Sequence, residues 1–187
     1  MAPVLRAIAA AALVLVLPSA PAVAQSSIVD EFKFGILAND IALFDTHVEA
    51  GTDVNFEMLF TPPSFLDAIG SPRPHLGGTV NAAGNTDRGY FGLTWGITLI
   101  QSLFGRGGGV FLNGSLGGAV QGGYTGSAPP GRKALGSTVL FRESLELGYQ
   151  ATPDLSLSAF VDHMSNAGLA TRNAGMTDAG ARFGFKF

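Results

Sequence analysis

Cysteine is absent from this chain of 187 residues, tryptophan occurs once, and only 13% of the residues are charged. Without cysteine no disulfide framework can form, so packing and backbone hydrogen bonds must hold the fold together. The formal net charge is only −3, a balance that gives no indication of nucleic-acid binding. His47 and His75 have no partner at metal-ligand spacing, and nucleotide and flavin motifs are missing. We therefore expect neither a metal nor a cofactor.

A long apolar run is also missing. Ala7–Leu17 has eleven apolar residues, whereas a transmembrane helix needs roughly 20. This run lies between Arg6 and Pro18, an arrangement typical of a secretory signal peptide. We predict that residues 1–24 are removed on export and that residues 25–187 form a single domain. Without a spanning helix, the exported chain can enter a membrane only as a β-barrel.

The rest of the chain consists of short alternating segments separated by clusters of glycine, proline, asparagine and aspartate, the pattern of an all-β fold. The predicted strands are Glu31–Asp40, Val48–Phe60, Pro74–Ala82, Tyr90–Ile100, Val110–Val120, Val139–Ala151, Leu155–Ser165 and Thr177–Phe187. An even number of antiparallel strands of this length is typical of a closed barrel.

The last predicted strand has one apolar face and one charged face. Phe183, Phe185 and Phe187 alternate with Arg182 and Lys186. This alternation also fits a lipocalin-like barrel, which places its apolar side chains inside. Charges at mid-strand beside many glycines decide between the two, because they suit a narrow polar lumen in which opposite charges pair. The sequence therefore favours an eight-stranded antiparallel transmembrane β-barrel of the outer membrane. The side chains expected in its lumen are Arg142, Glu146, Arg182 and Lys186.

The chain direction predicts which loops lie outside the cell. With both termini on the periplasmic side, the strand Leu155–Ser165 runs outward. The short turn at Thr152–Asp154 then lies in the periplasm, whereas the longer loops Tyr124–Lys133 and Asn166–Met176 lie outside. We also expect the strand-end charges to be solvated; these are Asp30, Glu31 and Asp40.

His163 and Ser165 lie two residues apart and share the face that a membrane barrel turns toward lipid. On their own they are typical of polar residues at the membrane interface. The string His163–Leu169, with the sequence HMSNAGL, and Asn173–Gly175 before the last strand resemble the outer-membrane lipid A 3-O-deacylases, also called acyloxyacyl hydrolases. The resemblance implies an esterase that removes the 3-O-linked hydroxyacyl chain of lipid A in the outer leaflet.

The resemblance also implies roles for individual residues. Ser165 is the nucleophile, His163 is the general base, and Asn166 and Asn173 bind the oxyanion or shape the site. These roles are chemically consistent, because a serine hydroxyl needs an imidazole to take its proton and donors to stabilise the oxyanion. The implied partners are lipid A or lipopolysaccharide as substrate and the lipids of the outer membrane. A homodimer stays open, and nucleic acid is not an expected partner.

The orienting carboxylate of that family is where this sequence departs. In that family the carboxylate lies twelve residues after the serine, and in this sequence that position is Thr177. The next residue, Asp178, should face the lumen, since a shift of one residue along a strand reverses the face. Glu143 should lie on the outer face opposite or diagonal to His163, because a tight turn at Thr152–Asp154 pairs those positions. We rank Glu143 first, Asp178 second and Thr177 third as the residue that orients His163.

A non-catalytic function competes with the esterase. Without a working acid the chain would be a small structural or adhesin-like outer-membrane barrel, a degenerate relative that keeps His163 and Ser165. The lipid A of cells with and without the protein distinguishes the two.

Overall fold

A computed structural model describes residues 28–44, 46–103 and 108–187. The predicted signal peptide, residues 1–24, lies outside the described residues. Within them the chain forms eight strands and a short 3-10 helix, Ser64–Ile69, between the second and third strands. No helix in this part of the chain has the length and apolarity needed to cross a membrane. The strands are β1 (Val29–Ala38), β2 (Thr52–Phe60), β3 (Arg73–Asn81), β4 (Arg88–Leu103), β5 (Gly108–Gln121), β6 (Val139–Gln150), β7 (Leu155–Ser165) and β8 (Met176–Lys186).

The strands form a closed antiparallel barrel in chain order, and β1 completes it by pairing with β8. The eight-stranded antiparallel barrel predicted from the sequence is confirmed. The start of β2 differs from the prediction, since this strand begins at Thr52 instead of Val48. The backbone N–H groups of Val48 and Glu49 donate to the Asp40 carboxylate, so these residues form a loop and do not join the sheet.

The outer wall of the barrel carries the apolar side chains. In β8, Phe183 and Phe185 are 59% and 49% exposed, whereas Arg182 is 1% exposed. The same alternation runs along β6, where Leu145 and Leu147 are exposed and Glu146 is buried. An apolar outer wall around a polar interior is the arrangement of an outer-membrane barrel and the reverse of a lipocalin.

Paired charges fill the lumen. Arg142 Nε donates to Asp162 at 2.8 Å, and Arg182 donates to Glu57 at 2.8 Å. Buried ions cost free energy to desolvate, so each needs a partner of opposite charge inside the barrel. The lumen charges expected from the sequence lie there: Arg142, Glu146 and Arg182 are buried, and Lys186 is half-buried at the lumen mouth.

Two strand-end charges expected to be solvated are buried instead. Glu31 is 1% exposed and Asp40 is 0% exposed. Glu31 accepts from Arg73 at 2.7 Å, and Asp40 accepts from Lys133 Nζ at 2.6 Å. Both carboxylates turn inward to cationic partners, so the prediction is wrong for these two residues, while Asp30 is partly exposed.

The two ends of the barrel carry different connections. The start of β1, the end of β8 and the short turn between β6 and β7 lie at one end. The connections after β1, β3, β5 and β7 lie at the other, which we call the loop end. His163 and Ser165, at the end of β7, therefore lie beside residues 122–138 and 166–175.

Candidate active site

His163 and Ser165 close β7 at the loop end. Both side chains are partly exposed, whereas Asp162 and Met164 are buried on the lumen side. The alternation therefore places the candidate base and the candidate nucleophile on the outer wall. Among the described residues no hydrogen bond joins Ser165 to His163; catalytic bonds of this kind often tighten only when substrate binds.

Thr177 holds the imidazole of His163. The two residues are paired in the β7–β8 register, and His163 Nδ1 lies 2.7 Å from Thr177 Oγ1. Thr177 is 1% exposed, so the hydroxyl is shielded from water. If Nδ1–H donates to this hydroxyl, Nε2 carries the free lone pair that a general base requires. Thr177, ranked last from the sequence, is thus the residue placed against the base.

Asp178 does not reach His163. It faces the lumen and is 1% exposed, and its carboxylate pairs with the Arg88 guanidinium. The β7–β8 register is regular here, so the one-residue step from Thr177 to Asp178 reverses the face. This carboxylate therefore balances a buried arginine, and among the described residues no contact with His163 supports it as the orienting acid.

Glu143 lies directly opposite His163 in the β6–β7 register, as the sequence predicts. Its side chain is exposed on the outer wall. It makes no hydrogen bond to His163 among the described residues, whereas Nδ1 contacts Thr177. The hydrogen bond to His163 is made by Thr177, and the ranking of Glu143 as the orienting residue stays a prediction.

A tight turn follows Ser165. Ala167 and Gly168 both have positive φ, 54° and 77°, and Leu169 N donates to Asn166 O at 3.0 Å, which makes a type I′ turn. Ala167 N donates to Ser165 Oγ at 3.4 Å. A non-glycine residue in the left-handed region is strained, and such residues cluster at functional sites. The turn leaves the serine at the very end of the strand.

The two asparagines have different surroundings. Asn166 is 3% exposed, and its Nδ2 donates to Leu135 O at 2.8 Å and to Arg172 O at 2.5 Å. Its amide is therefore committed to holding two loops together. Asn173 is exposed, and its Oδ1 accepts from Asn166 N at 3.0 Å. This bond leaves the Asn173 amide N–H groups available to a ligand.

The β5–β6 loop packs against the β7–β8 loop at Gly136. This residue has φ of +81°, and a Cβ there would lie 1.7 Å from Arg172 O and 2.5 Å from Asn166 Nδ2. Only glycine permits both the backbone conformation and the close approach. Gly136 therefore lets the neighbouring Leu135 carbonyl reach the Asn166 amide.

An apolar groove of about 460 Å³ lies on the outer wall beside Ser165. Phe141, which is paired with Ser165 in the β6–β7 register, lines it. Other lining residues are Gly117, Gly118, Val139, Leu169 and Ala170. The glycines contribute no side chains to the wall, and the groove reaches the residues on either side of Ser165, its register partner Phe141 and its chain neighbour Asn166.

Two further residues contact the His163 ring. Phe44, in the loop after β1, meets it edge-on, with ring centroids 5.5 Å apart and an interplanar angle of 81°. A Cβ at Gly175 would lie 2.5 Å from His163 Cε1, so a larger residue there would displace the ring. Gly175 is part of the Asn173–Gly175 string that carries the family resemblance. Phe44 comes from a loop that is distant in sequence, and no pattern in the sequence predicts its contact with His163.

Comparisons with known proteins agree with this fold. The family model described as Lipid A 3-O-deacylase (PagL) matches residues 48–186. A solved structure, described as the crystal structure of the outer membrane enzyme PagL, has the same fold with a TM-score of 0.61. It is 15% identical, and the match covers 84% of this chain and 99% of that chain. The search among curated proteins gave no match. Because the family model extends over all strands from β2 to β8, this chain belongs to the lipid A 3-O-deacylase (PagL) family.

Proposed function

We propose that this protein hydrolyses the ester that joins the 3-O-linked hydroxyacyl chain to lipid A in the outer leaflet. Family membership supports the substrate class and the reaction, and together with the barrel fold it points to the bacterial outer membrane. The observation that carries the proposed mechanism is the 2.7 Å contact between His163 Nδ1 and Thr177 Oγ1. His163 precedes Ser165 by two residues, and both lie on the outer wall at the end of β7.

The proposed reaction begins with attack of Ser165 Oγ on the ester carbonyl while His163 Nε2 takes the hydroxyl proton. Thr177 accepts the Nδ1–H and so keeps the ring in the required tautomer and orientation. The amide of Asn173 donates to the oxyanion of the tetrahedral intermediate. Asn166 shapes the site by holding the loop that carries Asn173.

The intermediate then collapses. The bond to the sugar 3-oxygen breaks, this oxygen receives the proton from His163, and the acyl chain stays on Ser165. A water molecule next attacks the acyl-serine ester, with His163 again taking the proton. The products are a free 3-hydroxy fatty acid and the regenerated serine.

The orienting group in this scheme is weaker than a carboxylate. A hydroxyl can fix the tautomer of His163, but it lacks the negative charge that stabilises the imidazolium. In serine hydrolases the wrong tautomer costs about 10⁴ in kcat. Because Thr177 preserves the tautomer, we expect a rate between that of a carboxylate triad and that of an unsupported dyad.

The outer wall gives the substrate a route to the nucleophile. Ser165 and Phe141 lie side by side on this wall, and the groove beside them is lined mainly by apolar and glycine residues. An acyl chain can enter the groove sideways from the leaflet while the sugar stays at the headgroup level. The substrate therefore does not have to leave the membrane.

Purified protein in detergent tests this proposal. With lipopolysaccharide that carries a 3-O-linked hydroxyacyl chain, the wild type should release a free 3-hydroxy fatty acid, quantified by mass spectrometry. Ser165→Ala is the matched control, because Ser165 is partly exposed and its loss removes little packing. Equal release by the two proteins would overturn the proposed mechanism.

The missing carboxylate favours a second candidate, a non-catalytic structural or adhesin-like barrel. Its specific support is that Thr177 fills the slot where the family pattern implies an acid. This candidate predicts no release of fatty acid by the wild type and none by Thr177→Glu.

A further inference from the structure

The loop after β1 is folded onto the outer wall at His163. Asp40 has φ of 51°, a left-handed conformation that redirects the chain at the end of β1. Ile41 N then donates to Thr177 O at 2.6 Å, and Leu43 N donates to Ile41 O at 2.8 Å. We call Asp40–Phe44 the strap. It lies against the same threonine whose side chain holds His163.

Buried polar contacts hold the base of the strap. Asp178 accepts from Asp40 N at 2.9 Å, and Asp40 Oδ1 accepts from Lys133 Nζ at 2.6 Å. The same Nζ donates to Gly175 O at 2.6 Å. Because Gly175 packs against His163 Cε1, one network fixes both the strap and the backbone on which the ring rests.

Phe44 brings the strap into contact with the imidazole. Its ring meets His163 edge-on, yet 68% of Phe44 is exposed, as is 55% of Leu43. One edge of Phe44 therefore touches the base while the rest of the ring faces outward. An exposed phenylalanine that contacts a candidate general base is not explained by folding stability alone, since little of its surface is buried.

We propose that the strap is part of the active site and that Phe44 is a positioning residue. Phe44 holds the His163 ring, and together with Ile41 it excludes water from the hydrogen bond to Thr177. This inference rests on the proposed function of His163 as general base. It adds a contribution from β1 and its loop to a site otherwise built by β6, β7 and β8.

The partner of His163 is the uncharged hydroxyl of Thr177, and for this reason the shielding by the strap is important in this chain. A hydrogen bond becomes stronger when its surroundings are less polar, because water no longer screens it or competes for it. A carboxylate would hold an imidazole through charge, whereas the Thr177 hydroxyl depends on geometry and on shielding. The family model begins at residue 48, so the strap lies outside the matched region and takes no role from it.

A simpler role for Phe44 is contact with lipid alone. In that case its loss would weaken substrate binding and leave the histidine ring where it is. In the proposed role its loss would release the ring and lower kcat while KM changes little. The two roles therefore differ in which kinetic constant moves and in whether His163 itself responds.

The experiment compares three variants of the full-length protein in detergent. Phe44→Ala removes the ring, Phe44→Tyr restores it, and Phe65→Ala removes a phenylalanine that is 79% exposed on the 3-10 helix at the other end. The first readout, which needs no activity, is the pair of 15N chemical shifts of His163 Nδ1 and Nε2 by NMR, which report the tautomer and the hydrogen bond to Thr177. The second readout is kcat and KM for release of the hydroxy fatty acid.

We expect Phe44→Ala to move the His163 15N shifts toward those of a ring that exchanges between tautomers and to lower kcat about tenfold to a hundredfold, as small misplacements of catalytic groups do, with KM within about twofold. Phe44→Tyr should restore both readouts, and Phe65→Ala should match the wild type. Unchanged His163 15N shifts in Phe44→Ala overturn the proposal, as does a rise in KM at constant kcat. If the wild type is inactive, the proposed function fails, and the NMR readout still decides whether Phe44 holds the ring.

Discussion

His163 and Thr177 face each other across the β7–β8 pair, and the threonine hydroxyl lies 2.7 Å from Nδ1. Thr177 also occupies the slot, twelve residues after Ser165, in which the family resemblance implies a carboxylate. The contact therefore places a hydroxyl without negative charge where a triad has its orienting carboxylate. We therefore expect kcat to be lower than with a carboxylate, and the loss of kcat on mutation of Thr177 to be smaller than the loss on removal of a charged acid.

Ser165→Ala and His163→Ala should each abolish deacylation while the barrel still folds, because both side chains lie outside the packed lumen. Catalytic residues that act as a unit give non-additive losses, so the double variant should be within about twofold of either single variant. Release of hydroxy fatty acid measures the effect. Retention of the folded form in detergent until boiling is the folding control. Near-normal activity of Ser165→Ala would show that the nucleophile is misassigned.

Thr177→Val should lower kcat, because it keeps the shape of the side chain and removes the one hydroxyl that bonds Nδ1 in the part of the chain that the structure describes. We expect a loss of about tenfold to a hundredfold, less than the loss of a charged acid in serine hydrolases. Thr177→Ser keeps the hydroxyl and should stay near the wild type. Thr177→Glu should raise the rate if the chain is an attenuated member of its family. Equal kcat values for the valine and serine variants would contradict the orienting role.

Glu143→Gln and Asp178→Asn test the two carboxylates that the sequence ranked above Thr177. Glu143→Gln should change kcat by less than about threefold, because His163 Nδ1 is held elsewhere. Asp178→Asn should act mainly on stability, since it removes a charge that balances the buried Arg88. A folded variant of either kind that loses on the order of 10² to 10⁴ in kcat would identify that residue as the acid instead.

Arg142→Met should destabilise the barrel. Arg142 donates to Asp162 at 2.8 Å and covers the Tyr90 ring at 3.7 Å, and its removal leaves a buried carboxylate without this partner. Breaking one side of a buried ion pair costs about 3–5 kcal/mol. The temperature at which the folded form is lost in detergent should fall well below that of Lys186→Met, whose side chain is only half-buried. Equal temperatures would mean that the lumen pairs contribute little.

The strands with strict alternation were predictable because an outer wall and a lumen impose opposite polarity on neighbouring residues. In β8 the phenylalanines and Arg182 separate cleanly, and the tight turn before β7 gives the Glu143–His163 pairing. Register is therefore accessible from sequence where a short turn fixes it. The burial of Arg142, Glu146 and Arg182 in the lumen followed from the same alternation.

The orienting residue and the strap were not predictable in this way. The sequence predicts the pairing of Glu143 with His163, the sheet adds Thr177 on the other side, and the rotamer of the ring decides which one it bonds. The burial of Asp40 depends on Lys133 and Asp178, residues from distant parts of the chain. Contacts of this kind leave no periodic signal, so the strap becomes visible only in three dimensions.

The composition of lipid A in cells gives the clearest measurement. Lipid A is extracted from cells that express the wild type, Ser165→Ala, or no protein, and its mass is determined by mass spectrometry. We predict a species lighter by one hydroxyacyl chain, lost from the 3-position, only in cells with the wild type. Identical lipid A in all three strains, with the wild type folded in the outer membrane, would contradict the proposal that this barrel is a lipid A deacylase.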